Sequence, residues 1–161
     1  RYAAASLSGG ENVAPISGGD RPLSLLRCAA ALCCACLERA EGGKPGALNA
    51  GDVAGVTSLY ATHAVLLPTF SPHTITSEEQ REEYFKSLAS RKGLQVSLHA
   101  KTLRVTPLSE TVKVACGIYR FSFEVDDEPL TFEARFSFAM NITKPHPIKH
   151  HHSSQVPRTL G

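Results

Sequence analysis

Arg120 and Arg135 are the residues whose type and placement most invite chemistry. They stand in two alternating apolar segments, 111–125 and 130–142, joined by Asp126-Asp127-Glu128-Pro129. An even turn through those residues pairs Val125 with Leu130, Phe123 with Phe132, Phe121 with Ala134 and Tyr119 with Phe136, so apolar meets apolar throughout. The same register sets Arg120 directly opposite Arg135, where like charges destabilise a sheet. Three readings stand open: a carboxylate or phosphate gripped between two guanidinium forks, neutralisation by Glu133 or Glu124 on the same face, or plain solvent exposure.

His150-His151-His152 is a run in a strand, so His150 and His152 face one way and His151 the other. A metal site would need a third ligand, for which only His99 is a candidate, so no metal or other cofactor is expected. Tyr60, Tyr84 and Tyr119 are expected either in the core or lining a cavity. A general base wants a carboxylate buried among apolar groups, whereas Glu124 and Glu133 neighbour arginines. The chain carries no nucleophile elbow, no H-E-x-x-H and no dinucleotide fingerprint.

These side chains need a scaffold, and 161 residues with 42% hydrophobic and 20% charged composition provide one globular domain with a tail. With 17 Lys and Arg against 15 Asp and Glu, the formal charge of +2 gives no pull toward nucleic acid or an acidic membrane. Four of the five cysteines, Cys28, Cys33, Cys34 and Cys36, crowd one segment, and Cys116 is alone. That odd, clustered count argues for a reducing compartment over a secreted disulfide framework, with the cysteines acting as small core hydrophobes.

Residues 1–21 read as an extended arm, and 22–46 as a helix followed by a loop broken at Gly42-Gly43 and Pro45-Gly46. The apolar run 23–37 has about 15 residues and carries Arg27, short of the roughly 20 that span a bilayer. Arg1 stands first, followed by a small, Ser-rich and acid-poor stretch, which gives the expectation of an organelle transit-peptide remnant, chloroplast or mitochondrial. Asp52 is expected to cap a helix over 53–62, and 65–70 to form a strand placed at an edge or bend by Pro68. Ser77 with Gln80 opens a helix to about Ser90, with Tyr84, Phe85 and Leu88 facing inward. From Leu94 the period changes to alternation, and Leu103 and Val105 fall out of phase with Leu94, Val96 and Leu98 as a bulge would place them. Residues 158–161 form a tail.

Val112, Val114, Cys116 and Ile118 make the second face of the long hairpin apolar too. About three short helices can cover one sheet face and not both. A second copy of the chain is the simplest cover, so self-association through Val114, Cys116 and Ile118 is expected from physics alone.

Gly51-Asp52, Leu59-Tyr60-Ala61, Ala64-Val65-Leu66-Leu67-Pro68, Tyr84-Phe85, Ala115-Cys116-Gly117-Ile118-Tyr119-Arg120, Ala134-Arg135-Phe136 and His151-His152-Ser153-Ser154 follow in the order of a known family. The stretch from about 49 to 157 resembles the association, or hub, domain of calcium/calmodulin-dependent protein kinase II and its free-standing relatives, within the nuclear transport factor 2 and SnoaL-like superfamily. The resemblance implies an α+β, cone-shaped roll: a strongly curved, mostly antiparallel sheet with about three helices packed on one face. It implies a non-catalytic oligomerisation domain, a homo-oligomer built on dimers or a ring. With no Gly-rich phosphate loop, H-R-D or D-F-G in the chain, it would be a hub without its kinase. The hub pocket uses arginines at the positions of Arg120 and Arg135, so a small carboxylate held by Arg120, Arg135, Tyr60, Tyr84, Tyr119 and His151 is the implied ligand site. His146 stands where the family has a tryptophan, and Ser153 where the kinase hub has a further arginine. Two alternatives remain: a SnoaL-like isomerase or cyclase, and an accessory subunit docked into a larger organelle complex through residues 1–46.

Overall fold

The computed structural model describes residues 46–157, so the expected arm, the helix and loop expected over 22–46 (all but Gly46), with the cysteine cluster, and the expected 158–161 tail lie outside the described residues. A short helix α1 (Val53–Thr57) leads into β1 (Tyr60–Leu67), followed by α2 (Glu78–Ala89), β2 (Gln95–Leu98), a 3-10 turn (Ala100–Thr102), β3 (Arg104–Pro107), β4 (Val112–Val125), β5 (Glu128–Asn141) and β6 (Ile148–Gln155). The six strands form one open sheet in the order β1-β6-β5-β4-β2, with β3 also on β4. Only β1 and β6 run parallel; the other pairs are antiparallel. The fold is therefore α+β, as expected, with the described helices on one face of a mostly antiparallel sheet.

Asp52 does cap α1, accepting the Gly55 amide at 2.8 Å, but the helix stops at Thr57 rather than 62. Thr57 and Ser58 turn their hydroxyls onto the carbonyls of Val53 and Gly55 at 3.0 and 2.8 Å, a local bond that competes with helix continuation. Tyr60 is then taken by β6, where it pairs with Ile148. The strand expected at 65–70 runs from Tyr60 to Leu67 and ends before Pro68, on the sheet edge. A register slip between Tyr60 and Val65 breaks the alternation there, which is why the first half of β1 does not read as a strand in the sequence.

α2 begins and ends as its capping residues dictate. The Gln80 amide donates to Ser77 Oγ at 3.2 Å, and Phe85 and Leu88 are buried against the sheet. Tyr84 is only half-buried, and Arg81 is buried in its place. Ser77→Ala should lower the unfolding free energy by about 1 kcal/mol, and an unchanged urea midpoint would show that packing alone sets the start of α2.

The expected bulge near residue 100 is instead the 3-10 turn, in which the Thr102 amide donates to the His99 carbonyl at 2.8 Å. This turn carries the chain from β2, opposite Tyr119 to Ser122, to β3, opposite Lys113 to Cys116, and so resets the phase of Leu103 and Val105. Asn49 fastens the entry segment to the sheet edge by exchanging two bonds with the backbone of Val96, 2.7 and 2.8 Å.

The long hairpin departs from the expected register by two residues. Its turn is Asp126-Asp127 alone, both at positive φ (52° and 62°), a tight loop whose twist suits paired strands. Val125 therefore pairs with Glu128, Phe123 with Leu130, Phe121 with Phe132 and Tyr119 with Ala134. A slide of two residues leaves every side chain on its expected face, so beyond Val125, which now meets Glu128, apolar still meets apolar. The arginine pair does not survive it: Arg120 lies opposite Glu133, and Arg135 opposite Ile118.

Candidate functional site

The six residues expected to form one ligand site are divided between the two faces of the sheet. Alternation sends Tyr119 and His151 inward and Arg120 and Arg135 outward.

On the inner side, α2 and the sheet enclose a cavity lined by Leu48, Tyr60, Tyr84, Tyr119, His151 and Ser153 among apolar neighbours, with no lysine, arginine or carboxylate in its wall among the described residues. The space left for the centre of a water molecule is about 20 Å³, enough for a water or two. Tyr60 at the head of β1 brings its hydroxyl 2.7 Å from His151 Nδ1, and the imidazole lies 4.1 Å from the Phe138 ring. His151 Nε2 is buried with no hydrogen-bond partner among the described residues. Burial pushes the imidazole down to about 3, reinforced by His150 and His152, so the ring is neutral at physiological pH. Across the cavity Tyr119 donates to Ser153 Oγ, which also meets Thr69 Oγ1, while the Tyr119 ring stacks on Phe136 at 4.9 Å. Burial pushes the Tyr84 phenol up, only partly offset by the Phe70 backbone and Arg91. A carboxylate in this cavity would lose its water without gaining a cation.

On the outer side the register aligns side chains in rows across the strands. Thr106, Val114, Ala139, His150 and Val65 form one row, and Arg104, Cys116, Ser137, His152 and Leu67 the next. Ile118, Arg135 and Ser154 form a third, and Arg120 faces Glu133 in a fourth. Val114, Cys116 and Ile118, expected as an interface, lie together at the centre of this face, half-buried by their neighbours and covered by no described helix. Gly117, on the inner side with Tyr119, leaves room for the Phe136 ring opposite it, because a Cβ would come within 3.2 Å of Phe136 and of Thr102 Oγ1. On the outer side an open groove is bordered by Cys116, Ile118, Arg135, His152 and Ser154.

Of the open readings of the arginines, neutralisation applies to Arg120, whose Nη2 is 3.5 Å from Glu133 Oε1; His99 Nε2 approaches the same oxygen at 3.2 Å. At that exposure such a pair contributes less than about 1 kcal/mol. Arg135 donates from Nε to Ser154 Oγ at 3.1 Å and has no carboxylate partner among the described residues. His99, the candidate third metal ligand, is thus engaged with Glu133, and among the described residues no group of His, Cys, Asp and Glu is placed to hold a metal ion. None of the described helices is long and apolar enough to cross a membrane.

Arg81 is the most deeply buried of the polar residues that sequence reasoning missed. Its guanidinium, 1% exposed, donates to the carbonyls of Ala64 at 2.9 Å and Ala61 at 3.4 Å and lies 5.3 Å over the Tyr60 ring. Those carbonyls belong to the slipped part of β1, so Arg81 fills the bonds that β6 leaves open. Its spacing to Phe85 and Leu88 was the available signal.

The sequence profile of the calcium/calmodulin dependent protein kinase II association domain matches residues 44–157. Among solved structures, a candidate association domain of that kinase type from Xanthomonas campestris superposes with a TM-score of 0.64 at 25% identity, over 92% of this chain and 95% of its own. A protein of unknown function from Mycobacterium tuberculosis superposes with a TM-score of 0.65, over 86% of this chain and 74% of its own; at 12% identity it shows the fold alone. No curated protein sequence matches the chain.

Proposed function

Because the chain belongs to the calcium/calmodulin dependent protein kinase II association domain family, we propose that it assembles with copies of itself and that the outer sheet face holds the copies together. The single observation that carries this reading is the apolar centre of that face, Val114, Cys116 and Ile118, which no described element covers. Removing such a surface from water is the main favourable term in association.

Catalysis is the weaker reading of the geometry. Among the described residues the cavity wall offers a neutral imidazole and hydroxyls but no carboxylate base, and its free space is the size of water. The small-carboxylate expectation is narrowed by the register to Arg135 in the outer groove, since Arg120 already faces Glu133.

Ile118→Glu tests the reading. A charge desolvated in an interface is costly, so the variant should sediment as a smaller species than the wild type while its far-ultraviolet circular dichroism stays the same. An assembly of unchanged mass would place the interface elsewhere.

A further inference from the structure

We propose that the outer groove of one copy receives the acidic tip of the β4–β5 hairpin of the next copy, in a head-to-tail contact. This rests on the association reading and names its contact. The groove side is apolar at its centre and cationic at its border. Arg104 and Arg135 flank Cys116 and Ile118, and neither guanidinium has a carboxylate partner among the described residues. Arg104 Nη1 donates only to the carbonyls of Lys101 and Leu103, both at 2.9 Å.

The tip has the opposite chemistry. Asp126 and Asp127 project beyond the Val125–Glu128 pair, and Val125 and Leu130, 45% and 44% exposed, are among the few large apolar side chains of the described residues left in water. Lys92 meets Glu124 at 2.7 Å and Asp127 at 2.9 Å, which leaves the tip net negative. An apolar pair ringed by carboxylates thus faces an apolar strip ringed by guanidinium groups.

Pairing two outer faces with each other brings Arg104 and Arg135 of both copies onto one desolvated surface, where like charges repel. Insertion of the tip brings opposite charges together instead. Along β4 the tip stands nine residues beyond Cys116, about 30 Å at 3.3 Å per residue. Donor and acceptor surfaces are therefore different patches of one chain, and contacts of this kind close into rings or continue as filaments.

The test is a charge exchange read by light scattering at equal concentration and low salt. Arg135→Glu and Glu128→Lys each avoid the two turn residues at positive φ. Each alone should raise the dissociation constant at least tenfold, and the double variant should recover most of the wild-type assembly. Added salt should weaken the wild type and leave Ile118→Glu unaffected. If the wild type assembles but neither single exchange weakens it, or the double variant is no better than the singles, the tip contact is wrong. If only Ile118→Glu dissociates the assembly, two outer faces pair with each other instead. A wild type that stays monomeric overturns the association reading itself.

Discussion

Arg81→Glu is expected to leave the domain unfolded or barely folded at room temperature. The side chain is buried under α2, and its present partners are two carbonyl oxygens and the face of an aromatic ring, all of which favour a cation. A carboxylate there would confront those oxygens, with Glu78 and Glu82 lining the same cleft. A buried charge without a partner costs about 3–5 kcal/mol, a large part of the roughly 5–15 kcal/mol that holds a domain of this size. Arg81→Met is the informative control. It removes the cost of desolvating the guanidinium but orphans the carbonyls of Ala61 and Ala64, so a smaller loss of about 1–3 kcal/mol is expected. An Arg81→Glu protein with the wild-type urea midpoint would show that β1 does not depend on this contact.

Acidification should destabilise the domain well before its carboxylates titrate, because His151 is folded neutral. Its folded value of about 3 lies below the 6.5 of a free imidazole, so the unfolded chain takes up a proton that the folded one refuses. The stability is fully present above pH 6.5. It should fall by about 1.4 kcal/mol per pH unit as the pH drops from there toward 3, roughly 5 kcal/mol in all. The lowered carboxyl of Glu79 acts in the same direction only below the ordinary glutamate range near 4.5, which leaves the window between 6.5 and 5 to histidine. His151→Asn keeps an oxygen for the Tyr60 hydroxyl and cannot protonate. It should lower stability at every pH while removing one proton from the slope in that window. Equal slopes for the variant and the wild type would mean that His151 protonates in the folded state.

Local signals were legible wherever one physical cause acts alone. Ser77 and Asp52 cap the helices they were expected to cap, and the alternation of β4 and β5 sorts every residue onto its correct face. The same period set His151 on the face opposite to His150 and His152, and the structure turns it inward. Failures came where tertiary pairing decides between local options. Tyr60 sits in a helical pattern, yet its pairing with Ile148 makes it strand, and the slip before Val65 hides the alternation that would have announced it. Asp126-Asp127 and the longer Asp126 to Pro129 turn differ by one ladder step, and away from Val125 the apolar pairing is equally good in both because the slide preserves faces. Only the charged pairs distinguish them: the longer turn sets Arg120 against Arg135, the shorter one against Glu133. The unfavourable pairing was the clue, since a register that opposes two cations argues against itself before it argues for a ligand. Splitting the site between two faces follows from the same alternation, applied to Arg120 beside Tyr119.

Solution mass tests the account most directly. Light scattering of the purified chain over a range of concentrations should give a multiple of 17.3 kDa that falls toward one chain for Ile118→Glu. A wild-type mass of 17.3 kDa at every concentration would contradict the assignment of the outer sheet face as an association surface.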